Sequence, residues 1–169
     1  MGKLIFITGG AKSGKSMFAH NLAAQYDDVA VINTGEANDK AESQFAVYDA
    51  HSGLGAIIMF NRRSFFIIDS VTAMVAGLMR DTGSWEAPEL NQAEAATKLV
   101  DEQIDAIIAA ACASDTVVAV VTNECGMGME PPDAGEKMFR ELLGRANGKL
   151  TQFADEAYFM ISGLTMKLK

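Results

Sequence analysis

Residues 3–16 read KLIFITGGAKSGKS, and this stretch decides the fold class. The apolar run at residues 3–8 predicts a buried strand, and the pattern over residues 15–25 predicts a helix. Between them, residues 9–16 match the pattern G-x-x-x-x-G-K-[ST], which is the P-loop. A strand before the motif and a helix after it are the context that the motif requires. The match therefore predicts a nucleotide-binding α/β domain.

The chemistry of this motif is phosphate binding. Its glycines let successive backbone N–H groups turn toward an anion, and the helix N-terminus adds partial positive charge. Lys15 is predicted to meet the β- and γ-phosphates, and the Ser16 hydroxyl is predicted to bind Mg²⁺. We therefore expect ATP or GTP to bind here with Mg²⁺. The predicted nucleotide-binding residues are Gly9, Gly10, Ala11, Lys12, Ser13, Gly14, Lys15 and Ser16.

The composition is that of an acidic chain with enough apolar residues for one core. Of its 169 residues, 49% are hydrophobic and 21% are charged, and the formal net charge is −8. This size fits one domain over residues 1–169. The acidic balance argues against a nucleic-acid partner held by a broad basic surface. Two cysteines make no disulfide framework, and neither a membrane span nor a signal peptide is evident, so we expect a soluble cytoplasmic protein.

Strands and helices alternate along the chain, which predicts a three-layer α/β domain with a mostly parallel sheet. Two apolar runs split by Ser162 and Gly163 predict an antiparallel hairpin at the end of the chain. Further strands are predicted at residues 29–33 and 116–122, and further helices at about 70–80, 91–113 and 136–153.

The middle of the chain is harder to assign. Residues 36–50 predict a weakly patterned helix, whereas residues 56–60 (AIIMF) and 65–69 (FFIID) both have the composition of strands. Only four residues separate these two runs, and parallel neighbours need a crossover of a dozen or more. We therefore expect either a hairpin or a first run that is a loop or edge segment.

Asp69 ends the run FFIID and is the predicted acidic partner of the P-loop. Four apolar residues would bury this strand and leave the carboxylate at its C-terminal tip, where ligands of open α/β sheets collect. The alternative is an N-cap for the helix that starts near Ser70, and both roles can hold together. The predicted metal ligands are Ser16 and Asp69.

A second polar pair, Asn123 and Glu124, follows the apolar run of residues 116–122. Polar groups at the tip of a buried strand are costly without partners. Glu124 could orient an attacking water or accept a hydroxyl proton, which makes it a candidate catalytic residue beside Lys15. The alternative is that the pair only anchors the glycine-rich turn at residues 126–128.

Four segments of the chain carry a family resemblance: ITGGAKSGKS (7–16), VTNECGMGMEPPD (121–133), FRELLGRANGKL (139–150) and ADEAYFMISGLTMKLK (154–169). Together these motifs resemble the bifunctional adenosylcobinamide kinase/adenosylcobinamide-phosphate guanylyltransferase family of cobalamin biosynthesis. The resemblance implies a RecA-like P-loop fold, a homotrimer, and two activities at one nucleotide site. One phosphorylates the aminopropanol hydroxyl of adenosylcobinamide, and the other transfers GMP from GTP to that phosphate through a guanylylated histidine.

The middle of the chain departs from the pattern of this family, because the resemblance covers roughly residues 1–34 and 115–169. The family places its nucleotidylated histidine in a helix after the second strand. Here only His51 is available, about a turn beyond the expected position near Tyr48. We name His51 as the candidate nucleophile, since a neutral imidazole exists near pH 7, with Tyr48 as a substitute. The shortened middle leaves GMP transfer in doubt, so the prediction is phosphoryl transfer from ATP or GTP to an acceptor hydroxyl.

Several alternatives stay open at this point. Arg140 and Arg145 could reach a phosphate or a neighbouring subunit, or they could lie on a solvated helix face. The family often has Glu where this chain has Asp69, a change that leaves metal binding plausible. The chain as a whole could be a P-loop protein with another acceptor, an oligomeric ATPase acting on a polymer, or a non-catalytic module gated by nucleotide.

Overall fold

A computed structural model describes residues 2–35 and 44–169 of the chain. These residues form an alternating series of strands and helices, as the sequence predicts. The elements are β1 (Lys3–Gly9), α1 (Lys15–Ala23), β2 (Val29–Asn33), β3 (Ala46–Asp49), α2 (Leu54–Asn61), β4 (Phe65–Asp69), α3 (Val71–Asp81), α4 (Leu90–Ala113), β5 (Val117–Val121), α5 (Ala134–Phe153), β6 (Glu156–Ile161) and β7 (Leu164–Lys167).

The strands form one sheet in the order β3-β2-β4-β5-β1-β6-β7. Neighbouring strands from β3 to β6 pair in parallel, and only β7 runs antiparallel, to β6. The predicted mostly parallel sheet and the predicted C-terminal hairpin are confirmed. Because the carboxyl ends of parallel strands meet at one edge, the segments that follow β1, β4 and β5 share that edge.

The core lies on both faces of the sheet, which explains the continuous apolar runs of the central strands. In β4, Phe66 and Ile68 face the layer formed by α2, α3, α4 and α5, while Phe65 and Ile67 face the layer that contains α1. All four side chains are fully buried. The alternation of strand side chains thus divides one apolar run between two separate cores.

The run AIIMF is a helix, so the prediction of a hairpin, loop or edge segment there is wrong. It lies within α2, in which Leu54 and Ile58, four residues apart, are buried, while Met59 and Phe60 are exposed. A short apolar run does not distinguish a helix from a strand by periodicity. The helix also resolves the crossover problem, because it lies between two strands that belong to one parallel sheet.

The prediction of a helix over residues 36–50 is wrong for its second half. Residues 46–49 form β3, which pairs in parallel with β2, and residues 36–43 lie outside the described residues. This strand is at the edge of the sheet, and of its side chains only that of Tyr48 is partly buried. An edge strand that buries so little carries almost no hydrophobic alternation, so its sequence gave no strand pattern.

Candidate functional site

The P-loop forms a backbone cradle between β1 and α1. Gly9, Lys12 and Gly14 have positive φ angles of 148°, 55° and 97°. A Cβ atom at Gly9 would lie 2.3 Å from the backbone oxygen of Met160, so the close approach of β6 requires glycine there. Gly14 is the N-cap of α1 and has no side chain to bond the first amides of the helix. Those amides therefore remain available to an anion.

Lys15 lies buried at the start of α1, with only 7% of the residue exposed. Its Nζ donates a hydrogen bond of 2.5 Å to the backbone oxygen of Gly10. Burial lowers the pKa of this ammonium group, and the negative potential of Asp69 and Cys125 opposes part of that shift. A buried cation whose hydrogen-bond partner is a neutral carbonyl favours the binding of an anion beside it.

Two hydroxyl groups complete the cradle. The Ser13 Oγ is buried and has no hydrogen-bond partner, which is costly unless a ligand supplies one. Ser16 lies in the first turn of α1 and is exposed. The positive-φ glycines, the buried lysine and the unpartnered hydroxyl fit a polyphosphate, as the motif predicts.

Asp69 ends β4 and lies opposite Val121 at the carboxyl edge of the sheet. It is close enough to Lys15 to raise the pKa of that ammonium group. The N-cap of α3 is Ser70, whose Oγ accepts a hydrogen bond of 3.2 Å from the Ala73 amide. Capping therefore does not occupy the Asp69 carboxylate, which is half-buried beside the cradle.

The donor set at this edge fits Mg²⁺ better than a metal held by protein alone. Within residues 2–35 and 44–169, no group of three or more His, Cys, Asp or Glu side chains could hold a metal ion. Mg²⁺ characteristically binds through one or two carboxylates together with phosphate oxygens and water. One hydroxyl at Ser16 and one carboxylate at Asp69 are the donors such a site needs from the protein.

The loop after β5 joins the P-loop through its backbone. The Glu124 amide donates a hydrogen bond of 3.1 Å to the Gly9 oxygen. The Glu124 carboxylate accepts hydrogen bonds from the amides of Gly126 (2.7 Å) and Met127 (3.2 Å). The carboxylate thus anchors the glycine-rich turn, which was the structural alternative, while its catalytic role stays a prediction.

Residues that the sequence did not single out hold the tip of β5. The Asn147 side chain, on α5, donates to the Asn123 oxygen (3.1 Å) and accepts from the Thr122 hydroxyl (2.8 Å). Thr72, on α3, accepts a hydrogen bond of 2.7 Å from the Asn123 amide. Asn147 belongs to the segment of residues 139–150 that carries the family resemblance, but a polar residue on that helix does not identify a partner 24 residues away.

The turn between β6 and β7 also contacts the P-loop. The Gly163 amide donates a hydrogen bond of 3.0 Å to the Ser13 oxygen, and the Gly163 Cα lies near Gly14. The hairpin was predicted from sequence, but its contact with the phosphate cradle was not. Three separate segments therefore converge on one site.

His51 lies away from this site. Its Nε2 contacts the Asp81 carboxylate at 2.7 Å, and its ring packs against Gly77 on α3. It follows β3, which is four positions from β1 in the sheet, and four inter-strand spacings correspond to about 19 Å. The structure thus brings Lys15, Asp69 and Glu124 to one region and does not bring His51 to it.

The other histidine of the chain, His20, lies on α1. Its ring centroid is 5.4 Å from that of Phe45. Because a helix rises 1.5 Å per residue, His20 lies about 7.5 Å along α1 from Lys15, away from the phosphate end. Tyr48, the predicted substitute nucleophile, donates a hydrogen bond of 2.9 Å to Asn61.

A parallel sheet with a P-loop after β1 and an acid after β4, with β5 between the two strands, defines a P-loop nucleotide-binding enzyme. The model of the family described as "Cobinamide kinase / cobinamide phosphate guanyltransferase" matches residues 5–168. The chain therefore belongs to this family. The matched range includes the middle of the chain, so the departures there do not support the doubt about GMP transfer.

Two curated relatives are similar over their whole length. The chain is 29% identical to the "Bifunctional adenosylcobalamin biosynthesis protein CobU" of Salmonella typhimurium and, equally, to that of Escherichia coli. Each alignment covers 98% of this chain and 99% of the relative. The chain also shares its fold with an ATPase of a bacterial type III secretion system, at a TM-score of 0.59 and 12% identity. It spans 58% of that ATPase structure.

None of the described helices is both long and apolar enough to cross a bilayer.

Proposed function

We propose that this enzyme phosphorylates the hydroxyl of adenosylcobinamide and then transfers GMP from GTP to the phosphate it has made. In the first step the acceptor oxygen attacks the γ-phosphorus of ATP or GTP, and the nucleoside diphosphate leaves. In the second, a nucleophile of the protein attacks the α-phosphorus of GTP, and pyrophosphate leaves. An oxygen of the phosphate product then displaces that nucleophile from the α-phosphorus, which frees the protein. The observation that carries this proposal is the P-loop cradle within a chain whose family match spans residues 5–168.

Lys15 and the P-loop amides bind and orient the phosphates in this proposal. Mg²⁺ would be held by Ser16 and Asp69 together with phosphate oxygens, and it would neutralise charge on those phosphates. Glu124 receives the proton of the acceptor hydroxyl. Two amides already occupy part of its carboxylate, but a carboxylate has about four lone-pair sites, so it can accept a further partner.

The test of the first step is a transfer assay with adenosylcobinamide and γ-labelled ATP or GTP. We expect label in the corrinoid and none when the corrinoid is already phosphorylated. Hydrolysis without transfer, or transfer only to another hydroxyl compound, would replace the proposed acceptor.

His51 is the proposed nucleophile of the second step. The chain has two histidines, and the other one, His20 on α1, packs its ring against Phe45. The contact with Asp81 can fix the tautomer and the orientation of the His51 imidazole. The distance of about 19 Å between β3 and β1 then requires either a change of conformation or the His51 of another copy. The homotrimer implied by the family resemblance would provide such a copy.

A labelling experiment tests this assignment. With α-labelled GTP we expect an acid-labile protein–GMP adduct that is lost in His51→Ala and kept in His20→Ala. An adduct that persists in His51→Ala removes His51 as the nucleophile. To test the role of a second copy, His51→Ala is mixed with a P-loop variant, since only transfer between copies restores the adduct.

A further inference from the structure

A cavity of about 420 Å³ lies between the loop after β5 and helix α5. Three cationic and two acidic side chains line it, in a chain whose net charge is −8. A cation of this lining that lacks an acidic partner is the candidate for binding an anionic ligand. The lining residues are Gly126, Glu130, Lys137, Arg140, Glu141, Gly144 and Arg145.

Two of the three cations have acidic partners. Lys137 contacts Glu130 at 3.2 Å, and Arg145 contacts Asp101 at 2.9 Å. Arg140 makes no ion pair within the described part of the chain. Its Nη2 donates a hydrogen bond of 2.6 Å to the Gly126 oxygen, and its Nη1 is buried without a hydrogen-bond partner.

An unpartnered guanidinium nitrogen in a closed setting is costly, because the group has lost water and gained nothing in exchange. A guanidinium binds phosphate oxygens through parallel N–H donors, and such pairs are stronger than bonds to neutral carbonyls. Arg140 is therefore the cavity residue whose bonding capacity is unfilled.

The cavity adjoins the nucleotide site. Glu124 is bonded to Gly9 of the P-loop, and the turn that it anchors includes Gly126, which Arg140 holds. Lys15 and Arg140 are both close enough to the Cys125 thiol to lower its pKa, against the larger raising effects of burial and then Glu124. A ligand at Arg140 would thus be next to the phosphates that Lys15 binds.

We infer that Arg140 binds the phosphate of a phosphate monoester, the acceptor of the second transfer, in the cavity beside the P-loop. This inference rests on the proposed function for the identity of the acceptor, whereas the anion site itself stands on the geometry. The phosphate monoester enters with its phosphate toward Arg140, and its oxygen then lies on the side of the nucleotide where transfer takes place.

Helix α5 offers a matched pair of variants that tests the cavity by volume. Gly144 lines the cavity and Gly148 does not, and a Cβ atom at either position would meet nothing within 4 Å. Gly144→Leu is therefore expected to occupy part of the cavity without a clash at its Cβ atom, and Gly148→Leu adds the same side chain elsewhere on the same helix. For charge, Lys149→Ala is the control, because Lys149 pairs with Asp105 and lies outside the cavity lining.

In the experiment, inorganic phosphate is titrated into the protein saturated with a non-hydrolysable GTP analogue, and the heat of binding is measured by calorimetry. We expect one saturable phosphate site that weakens about tenfold or more in Arg140→Ala and in Gly144→Leu. Arg140→Lys should restore part of the affinity, because it returns the charge without the planar donors. Lys149→Ala and Gly148→Leu should bind phosphate as the unmodified protein does.

Two results overturn the inference: no saturable site in the nucleotide-filled protein, or equal affinity in Arg140→Ala. A kinetic arm separates it from the proposed function. If Arg140 holds the acceptor, Arg140→Ala should raise the KM for adenosylcobinamide phosphate more than the KM for GTP. If the substitution instead disrupted the loop, both KM values and kcat would change together. Absence of any transfer by the unmodified protein contradicts the proposed function while leaving the phosphate titration as an independent result.

Discussion

The two candidate reactive regions at the carboxyl edge of the sheet are held in different ways. At the P-loop end, backbone hydrogen bonds from Glu124 and Gly163 fix the cradle from two sides, and Lys15 is buried within it. At the His51 end, one contact with Asp81 orients an imidazole that follows an edge strand. The first region is held by main-chain hydrogen bonds, whereas the second is held by one side-chain pair and by the packing of the ring against Gly77.

This difference has a functional consequence. A phosphate cradle made of main-chain groups needs its geometry before the ligand arrives, since preorganised donors stabilise developing charge without rearrangement. A group that carries GMP between two substrates has to approach both of them. If His51 carries GMP as proposed, the distance between β3 and β1 makes such an approach necessary, and a histidine held by side-chain contacts at the sheet edge is suited to it.

Of the substitutions that test this difference between the two regions, removal of the buried Lys15 should have the largest effect. Lys15→Ala should lower the turnover of both activities on the order of 10²–10³-fold, because it deletes the preorganised cation that meets the transferring phosphates. Turnover is measured with saturating nucleotide, and the thermal unfolding midpoint reports on the fold. Lys98→Ala, on the exposed face of α4, is the control. Turnover within a few-fold of the unmodified protein would refute the P-loop as the active site.

Substitution of one aspartate in each region, Asp69 near the P-loop and Asp81 beside His51, tests whether the two activities can be changed separately. Asp69→Asn should slow both transfers about 10- to 100-fold and raise the Mg²⁺ concentration needed for half-maximal rate. Asp81→Asn should slow only the formation of the GMP adduct, about tenfold, because it removes the carboxylate that fixes the tautomer of the His51 imidazole. The measurement is the ratio of kinase rate to adduct rate. An equal ratio in the two variants would mean that the ends do not act separately.

A glycine pair tests how tightly the cradle is built. At Gly9 a Cβ atom would lie 2.3 Å from the Met160 oxygen, at a φ of 148°, whereas at Gly10 it would meet nothing within 4 Å. Gly9→Ala should therefore cost about 1–3 kcal/mol of unfolding free energy, and Gly10→Ala much less. Urea unfolding measures both. Equal stability of the two variants would contradict the close approach of β6 to the P-loop.

The local fold at the P-loop end could be predicted because its sequence information is consecutive. The spacing of Gly9, Gly14 and Lys15, with an apolar run on one side and a helical pattern on the other, specifies a strand, a loop and a helix, which the structure has, and it predicts a phosphate ligand. Asp69 followed in the same way, since a buried strand that ends in a carboxylate places it at the ligand edge.

The structure around His51 could not be predicted from the sequence, and the reasons are physical. Strand β3 buries almost nothing, and α2 is an apolar run too short for its period to be read, so neither carries a decisive pattern. The contacts of His51 with Asp81, and of Asn123 with Asn147, join residues 30 and 24 positions apart. Pairing over such distances is a property of tertiary packing and not of local sequence.

The smallest expected effect concerns β6, which lies next to β1 and leads to the turn at Gly163. Hydrogen bonds from Lys3 and Tyr158 lower the pKa of Glu156 below its usual value of 4.5. A depressed carboxyl pKa means that the contribution to stability is present above about pH 4.5 and is lost as the pH falls through the lower, folded-state value. Burial and Glu156 also raise the pKa of Tyr158 to about 12, so this phenol stays protonated throughout that range.

Glu156→Gln should therefore lower the thermal unfolding midpoint at neutral pH by a few degrees at most, and the difference from the unmodified protein should shrink as the medium becomes more acidic than pH 4.5. Glu102→Gln, on the exposed surface of α4, is the control and should show no such convergence. Because Glu156 starts β6 and the P-loop contacts lie at its other end, kinase turnover at neutral pH should not change. A loss of turnover would instead mean that the amino-terminal anchoring of β6 helps to hold the phosphate cradle in place. The geometry of the cradle would then depend on side-chain pairs as well as on main-chain hydrogen bonds.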